Sequence, residues 1–281
     1  MTLLIADSGS TKTDWRVLTQ GQNAYQLITN GLNPYYEDTD AIVTTLTNQL
    51  LPHLSAGDVQ AVHFYGAGCA NPQANALVER ALWQLFPNLK TAGVDSDMLG
   101  AARGTCQHQP GIVCILGTGA NACCYDGTQI VRGIQSLGFW LGDEGSGGYL
   151  GKILVRDQFQ NRLPEALQTA FARKYPHLDR AMLLDNAYKK PFPNRYFASF
   201  TPFLCEHIND PYANQLVIDA FTLFLQTYVV HFPESAQWPV HFVGSVAYHF
   251  VPQLRQAMRD VGCTMGQISQ SPGEGLVRYY G

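Results

Sequence analysis

Residues 5–15 read IADSGSTKTDW, an acid, small hydroxyls, a glycine and a lysine between an apolar strand and a second extended stretch. Such a loop is either an anion cradle or the polar tip of a hairpin. Ser8, Gly9, Ser10, Thr11 and Thr13 can turn backbone N–H groups and hydroxyls towards phosphate oxygens, with glycine where the chain must come close. Asp7, at the strand end, can hold Mg²⁺ through water, because magnesium gives up its waters reluctantly. A P-loop is excluded. That motif needs GxxxxGK[ST] followed by a helix, whereas here Lys12 follows Thr11 and DWRVLTQGQNAYQLITN continues as two strands turning at residues 20–23.

Working outward, TDAIVTTLTNQLL predicts a helix, VQAVHFYGAG a strand ending in a glycine loop, QANALVERALWQLF a helix, LKTAGVD a strand and DMLGAAR a short helix. GIVCILGTGANACCYDGTQIVRGI then repeats the opening: strand, small-residue loop, strand, turn at Asp126–Gly127, strand. Beyond residues 143–146 the pattern is helical for about a hundred residues. The strand PVHFVGS, the helix VPQLRQAMRDV, the strand TMGQIS and a helix from Gly273 complete the second round. The expectation is an α/β protein of two halves, residues 1–108 and 109–281, the second carrying a helical insertion at about 147–235. A cleft between halves follows from the duplication, with bending expected near residues 105–112.

With 281 residues, 46% of them hydrophobic and 14% charged, the chain can bury a large core and is expected to form two domains. A formal net charge of −4 gives no general attraction to nucleic acid or to an anionic membrane, so any phosphate must be held by a local site. The most apolar long segment, LVIDAFTLFLQTYVVHF, is interrupted by Asp219, Thr222 and Gln226 and reads as a buried helix rather than a span. The first residues show no basic region leading into a long apolar run, so no leader is expected. Seven cysteines without a CxxC pair suit neither a disulfide framework nor zinc ligation, and a reducing cytoplasm is expected.

ILGTGANA offers Gly117, Thr118 and Gly119 at the place equivalent to the first loop. Two such loops can clamp one β,γ-phosphate pair, a pattern much more specific than either alone. HFVGSVA runs an apolar strand into Gly244–Ser245 and a helix, where backbone can approach a flat adenosine.

The order DSGSTKT, VDSD, LGTGA, GDEGS and FVGSVA resembles the sugar-kinase, Hsp70 and actin superfamily, and within it the N-acetylglucosamine kinase and BadF/BadG-type ATPase family. The resemblance spans nearly the whole chain. It implies two RNase H-like (actin-like ATPase) domains closing over MgATP and a sugar. On this resemblance the first phosphate loop falls on Asp7 to Thr13, Lys12 included, with Thr11 contacting nucleotide; the second falls on Gly117–Gly119, and the adenosine segment on Gly244 and Ser245. The catalytic aspartate matches Asp97, with Asp95 a nearby competitor. The sugar-binding residues match Asn33 in NGLNPYY and Asp143 in GDEGS, with Glu144 beside it. One departure stands out. Where the family carries a glycine–tryptophan pair before GDEGS, this chain has Ser136–Leu137, followed by Gly138, from which a backbone contact to the sugar is expected.

The expected activity is ATP-dependent phosphorylation of the 6-hydroxyl of an amino sugar, N-acetylglucosamine by preference. Two other readings share the loops: an iron–sulfur ATPase activator of the 2-hydroxyacyl-CoA dehydratase type, for which Cys106 and Cys114 are the only suggestive pair, and a sugar- or nucleotide-responsive sensor without turnover. An exposed helical face in the insertion could serve as a homodimer contact.

Overall fold

The computed structural model of the chain describes residues 2–9, 11–19 and 24–281. Ser10 and the turn at residues 20–23 lie outside the described residues. The fold begins with the strands β1 (Thr2–Ser8), β2 (Lys12–Thr19) and β3 (Tyr25–Asn30), then α1 (Thr39–Gln49), β4 (Val59–Gly66), α2 (Pro72–Leu85), β5 (Thr91–Ser96) and α3 (Asp97–Cys106). The second round comprises β6 (Gly111–Leu116), β7 (Ala120–Tyr125) and β8 (Ile130–Gly133). The helices α4 (Gly138–Leu141), α5 (Gly147–Phe159), α6 (Glu165–Lys174), α7 (Arg180–Tyr188), α8 (Pro193–Ala198), α9 (Thr201–Glu206) and α10 (Pro211–Tyr228) follow it. β9 (Val240–Val243), α11 (Ser245–His249), α12 (Val251–Asp260), β10 (Met265–Ser269) and α13 (Gly273–Tyr280) close the order. Among the described residues no helix is long and apolar enough to cross a membrane.

The helix starts are written in local chemistry. Asp38, Asn71, Ser96 and Ser146 each accept a first-turn N–H at the N-termini of α1, α2, α3 and α5, and Pro72 sits where its missing N–H costs nothing. The four-residue α4, too short to carry a period, is the helix that sequence patterning does not predict.

The duplication is visible in the sheets. One has the order β3-β2-β1-β4-β5 and the other, read from β8, has β8-β7-β6-β9-β10. In each, the first strand of the round pairs antiparallel with the next strand and parallel with the fourth: β1 with β2 and β4, β6 with β7 and β9. The chain divides into two compact units. Unit 1 holds residues 1–109, 126–130 and 271–281, and unit 2 holds 110–125 and 131–270. The last helix therefore joins the first sheet. In unit 1 the buried core gathers around Trp15, Phe64 and Leu82; in unit 2 it gathers around Phe203, Phe221, Phe224 and Phe242.

Asp157, near the end of α5, ties that helix to α10. Its carboxylate accepts the Tyr212 hydroxyl at 2.6 Å and the Arg156 Nε–H at 2.9 Å. Burial alone would raise its pKa; the hydrogen bonds from Arg156 and Tyr212, with the charges of Arg156 and Arg162, outweigh burial and hold it below the usual value of 3.8. The carboxylate therefore contributes stability above pH 3.8 and loses it as pH falls through the depressed value. Asp157→Asn is expected to cost about 1–3 kcal/mol at neutral pH, with the gap to wild type closing at strongly acid pH, as read by chemical denaturation across a pH series.

Candidate active site

Both small-residue loops are three residues long and follow the first strand of their sheet. Residues 9–11 join β1 to β2, and residues 117–119 join β6 to β7. Each is closed by one backbone bond across its mouth, Gly9 N–H to the Lys12 carbonyl and Gly117 N–H to the Gly119 carbonyl, both at 3.0 Å.

What stands behind each loop differs. In unit 1 the Ser8 and Thr13 hydroxyls lie 2.7 Å apart, both fully buried; Thr13 Oγ1 donates to the Asn30 carbonyl, and Ser8 Oγ accepts the Leu32 N–H. These two hydroxyls brace the loop and tie it to the segment leading to Asn33. They are spent on the protein, which leaves Gly9, Thr11 and Lys12 as the exposed groups of the described tip. Asn33 Oδ1 accepts the Tyr35 N–H at 2.9 Å, and the Asn33 N–H is held by Glu37 Oε2 at 2.8 Å. Gly68 passes so close to the Asn33 side chain, at φ +86°, that a Cβ there would overlap Asn33 Oδ1. Neither Glu37 nor Gly68 carries a signal that sequence reading could use, because each acts across a loop closed in three dimensions.

Asp7 and Asp97 are brought into electrostatic contact inside unit 1. Burial pushes the Asp7 pKa up to about 7, with the neighbouring Asp97 and Asp14 charges adding to it and Lys12 and Arg16 opposing. Asp97 is also raised, by burial first, with the N–H groups of Met98 and of Asp97 itself pulling it back. Asp97 is the first residue of α3, next to the N-cap Ser96, and its Oδ1 accepts the Met98 N–H at 2.8 Å. Asp95, two residues earlier, is 45% exposed and has Arg103 as its partner at 3.9 Å. The two acids that the sequence offers thus differ: Asp95 carries its own counter-ion, and the Asp97 charge acts on Asp7.

In unit 2 the second loop is backed by a helix start. The N–H groups of Gly147 and Gly148, in the first turn of α5, donate to the carbonyls of Gly117 at 2.8 Å and Thr118 at 3.0 Å. This binds the two orphan amides of the helix and aims the loop carbonyls inward. Both glycines are buried in regular helix, packed closely against the loop backbone and Ala198. Asp143 is buried at φ +60°, a left-handed conformation that aspartate tolerates better than most residues. Its Oδ1 takes the Ala120 N–H at 3.2 Å and the Ser136 hydroxyl at 3.4 Å, and burial raises its pKa. Glu144 accepts the Tyr228 hydroxyl at 2.8 Å, which fixes the turn to α10. Lys152 donates to the Phe139 carbonyl at 3.1 Å and lies within range of the Asp143 and Glu144 charges. A lone cation in the apolar run YLGKILV was its one sequence signal. Gly138, at φ +71°, begins α4 with open space around it.

Gly244 completes the assembly. At φ +125° its Cα lies against the Leu116–Gly117 backbone, and a Cβ would overlap the Leu116 carbonyl oxygen. Ser245 starts α11 directly beside it. Unit 1 therefore gathers Asp7, Gly9, Thr11, Lys12, Thr13, Asn33 and Asp97, and unit 2 gathers Gly117–Gly119, Gly138, Asp143, Glu144, Gly244 and Ser245.

Two mixed five-stranded sheets of identical order, each with a small-residue loop after its first strand, define the duplicated RNase H-like fold of the actin-like ATPases and sugar kinases. No protein-family sequence model matches the chain, and no curated sequence does. Among solved structures, one from Porphyromonas gingivalis, provisionally named an N-acetylglucosamine kinase, is 41% identical, covers 99% of this chain and 98% of its own, and superposes with a TM-score of 0.94. Another provisionally named N-acetylglucosamine kinase, from Chromobacterium violaceum, is 19% identical over 100% of this chain and 99% of its own, TM-score 0.76. A ROK family glucokinase from Streptomyces griseus, solved with glucose and AMPPNP, is 16% identical over 99% of this chain and 98% of its own, TM-score 0.55, a likeness of fold. The chain belongs to the N-acetylglucosamine kinase family.

Gly244→Ala combines a strained φ with a clash against backbone. It is expected to cost about 2 kcal/mol or more and to lower Tm by several degrees in scanning calorimetry.

Proposed function

We propose that this protein transfers the γ-phosphoryl group of ATP to the 6-hydroxyl of an amino sugar, N-acetylglucosamine by preference. The observation that carries the reading is Asp97 opening α3 in unit 1, where its charge acts on Asp7, the last residue but one of β1. The substrate draws its support from the 41% identical relative and its name. ATP draws support from the glucokinase of like fold solved with AMPPNP.

The attacking hydroxyl must lose a proton as its oxygen approaches the γ-phosphorus, and positioning with charge neutralisation supplies most of the rate. Asp97 is assigned as the group that orients the hydroxyl and accepts its proton; a carboxylate raised by burial is a better base for this than an exposed one. Gly9, Thr11 and Lys12, with Ser10, are assigned to the phosphates, Ser8 and Thr13 acting from behind through the hydroxyl brace. Gly117, Thr118 and Gly119 are assigned to the nucleotide, as are Gly244 and Ser245. Asn33, Gly138 and Asp143 are assigned to the sugar, with Glu144 holding the turn that carries Asp143.

Magnesium fits the acids present. The Asp97 charge adds to the burial that raises the Asp7 pKa, a repulsion that a divalent cation relieves. Among the described residues no three His, Cys, Asp or Glu side chains gather as a metal centre, so Asp7 would hold the ion together with water and phosphate oxygens. Bound there, it would neutralise charge on the transferring phosphoryl group.

The activator reading is not favoured. Its two cysteines are buried, Cys106 on α3 in unit 1 and Cys114 on β6 in unit 2. Seven cysteines, five of them buried, support a reducing cytoplasm as the setting. Exposed Met182, Leu184 and Tyr188 on α7 support the insertion as the place for a homodimer contact.

The test is ADP release with MgATP against N-acetylglucosamine, N-acetylmannosamine, N-acetylmuramic acid, glucosamine, glucose and no sugar. Turnover dependent on N-acetylglucosamine is expected; sugar-independent turnover, or none, defeats the reading. Asp97→Asn should lose roughly 10²–10⁴-fold in kcat while retaining sugar binding in calorimetry. Asp95→Asn should keep kcat near wild type.

A further inference from the structure

We propose that Arg103 is a positioning residue for phosphoryl transfer, clamping α3 through Tyr65 and Tyr280 so that Asp97 is held in register with Asp7. The inference rests on the assignment of Asp97 above. Asp97 makes hydrogen bonds only to the first turn of its own helix among those described, so its position is the position of α3.

That helix is fixed along one stripe. Asp97, Gly100, Gly104 and Gln107 recur at helical spacing and share a face. Gly100 lies flat on Tyr65 of β4, where a Cβ would come within 2.6 Å of the ring stem. Gly104 abuts Pro272, and a Cβ on Gly275 of α13 would overlap the Gly104 carbonyl. Gln107 Nε2 reaches the Gly275 carbonyl at 3.0 Å. Glycines set the closeness of this packing but give it no lateral key.

Arg103 supplies the key. Its Nη1 donates to Tyr65 Oη at 2.8 Å and to Tyr280 Oη at 3.3 Å, and the two phenols are hydrogen-bonded to each other. The guanidinium also lies 5.4 Å from the Tyr279 ring centre, and Tyr280 stacks on His63 of β4 at 4.0 Å. One guanidinium nitrogen therefore joins α3 to β4 and to α13. The same guanidinium engages Asp95, which keeps that second carboxylate from competing with Asp97 for the proton and the cation.

The experiment measures kcat and KM for sugar and ATP in Arg103→Met, Arg103→Lys and Tyr280→Phe, at a temperature where calorimetry finds each fully folded. For Arg103→Met a loss of about 10–100-fold in kcat with KM close to wild type is expected, as for a misplaced reacting group. Arg103→Lys keeps a charge beside Asp95 but lacks the planar group that lies against the Tyr279 ring, and should recover only part of it. Tyr280→Phe removes one hydroxyl and decides the matter if Arg103→Met does not fold; about a threefold to tenfold loss in kcat is expected. Unchanged kcat in the folded variants, full recovery by lysine, or a loss carried wholly by KM overturns the proposal. Hydrogen exchange at the Met98 and Leu99 amides, which are held by Asp97 and Ser96 side chains, is read on the same proteins without substrate. Faster exchange in Tyr280→Phe, by about tenfold, is expected. If the wild type phosphorylates no sugar, the kinase reading fails, and unchanged exchange would overturn this inference separately.

Discussion

Two like charges, Asp7 and Asp97, have to be held where each feels the other, and much of unit 1 can be understood as the scaffold that resists their separation. β4 runs between β1 and β5, so that Asp7, Tyr65 and Asp95 fall in one row across three parallel strands, and Asp97 follows two residues on. Burial opposes the ionisation of both acids, and the Asp97 charge opposes that of Asp7 as well. A sheet can bear that cost because its backbone ladder is indifferent to which residues end the strands. Catalytic acids at the carboxyl ends of parallel strands are thus where a rigid frame and a polar ligand meet.

The two rounds of the duplication support loops of equal length by different means. Behind residues 9–11 stand two buried hydroxyls that bond to each other and to the strand-exit segment at Asn30 and Leu32. Behind residues 117–119 stands the start of α5, whose orphan N–H groups take the loop carbonyls. The physical demand is common to both: a tight loop must have its inward polar groups satisfied so that its remaining N–H groups can face outward. Serine and threonine answer it locally, and a helix N-terminus answers it with backbone alone.

The parts of this design that are written locally were legible in the sequence. Alternating apolar strands and the matched small-residue loops gave the element order and the duplication. The couplings that fix side-chain roles were not legible, because their partners are distant along the chain. Glu144 is set by Tyr228, 84 residues on, and Arg103 by Tyr280, 177 residues on. The inward turn of Asp143 depends on a left-handed backbone that no periodicity announces. The bonds of the Thr13 hydroxyl to Ser8 and to Asn30, 17 residues on, likewise depend on strand pairing that no local pattern announces.

The return of α13 to the first sheet also orders events during synthesis. The Gln107–Gly275 bond spans 168 residues, and all of unit 2 lies between its ends. A ribosome therefore delivers β1 to α3 long before the surface that seats α3 exists. The nascent first sheet must wait with one face uncovered, closing only after the second has been made. A chain stalled within unit 2 would hold every residue of the acidic pair yet lack the helix against which α3 packs.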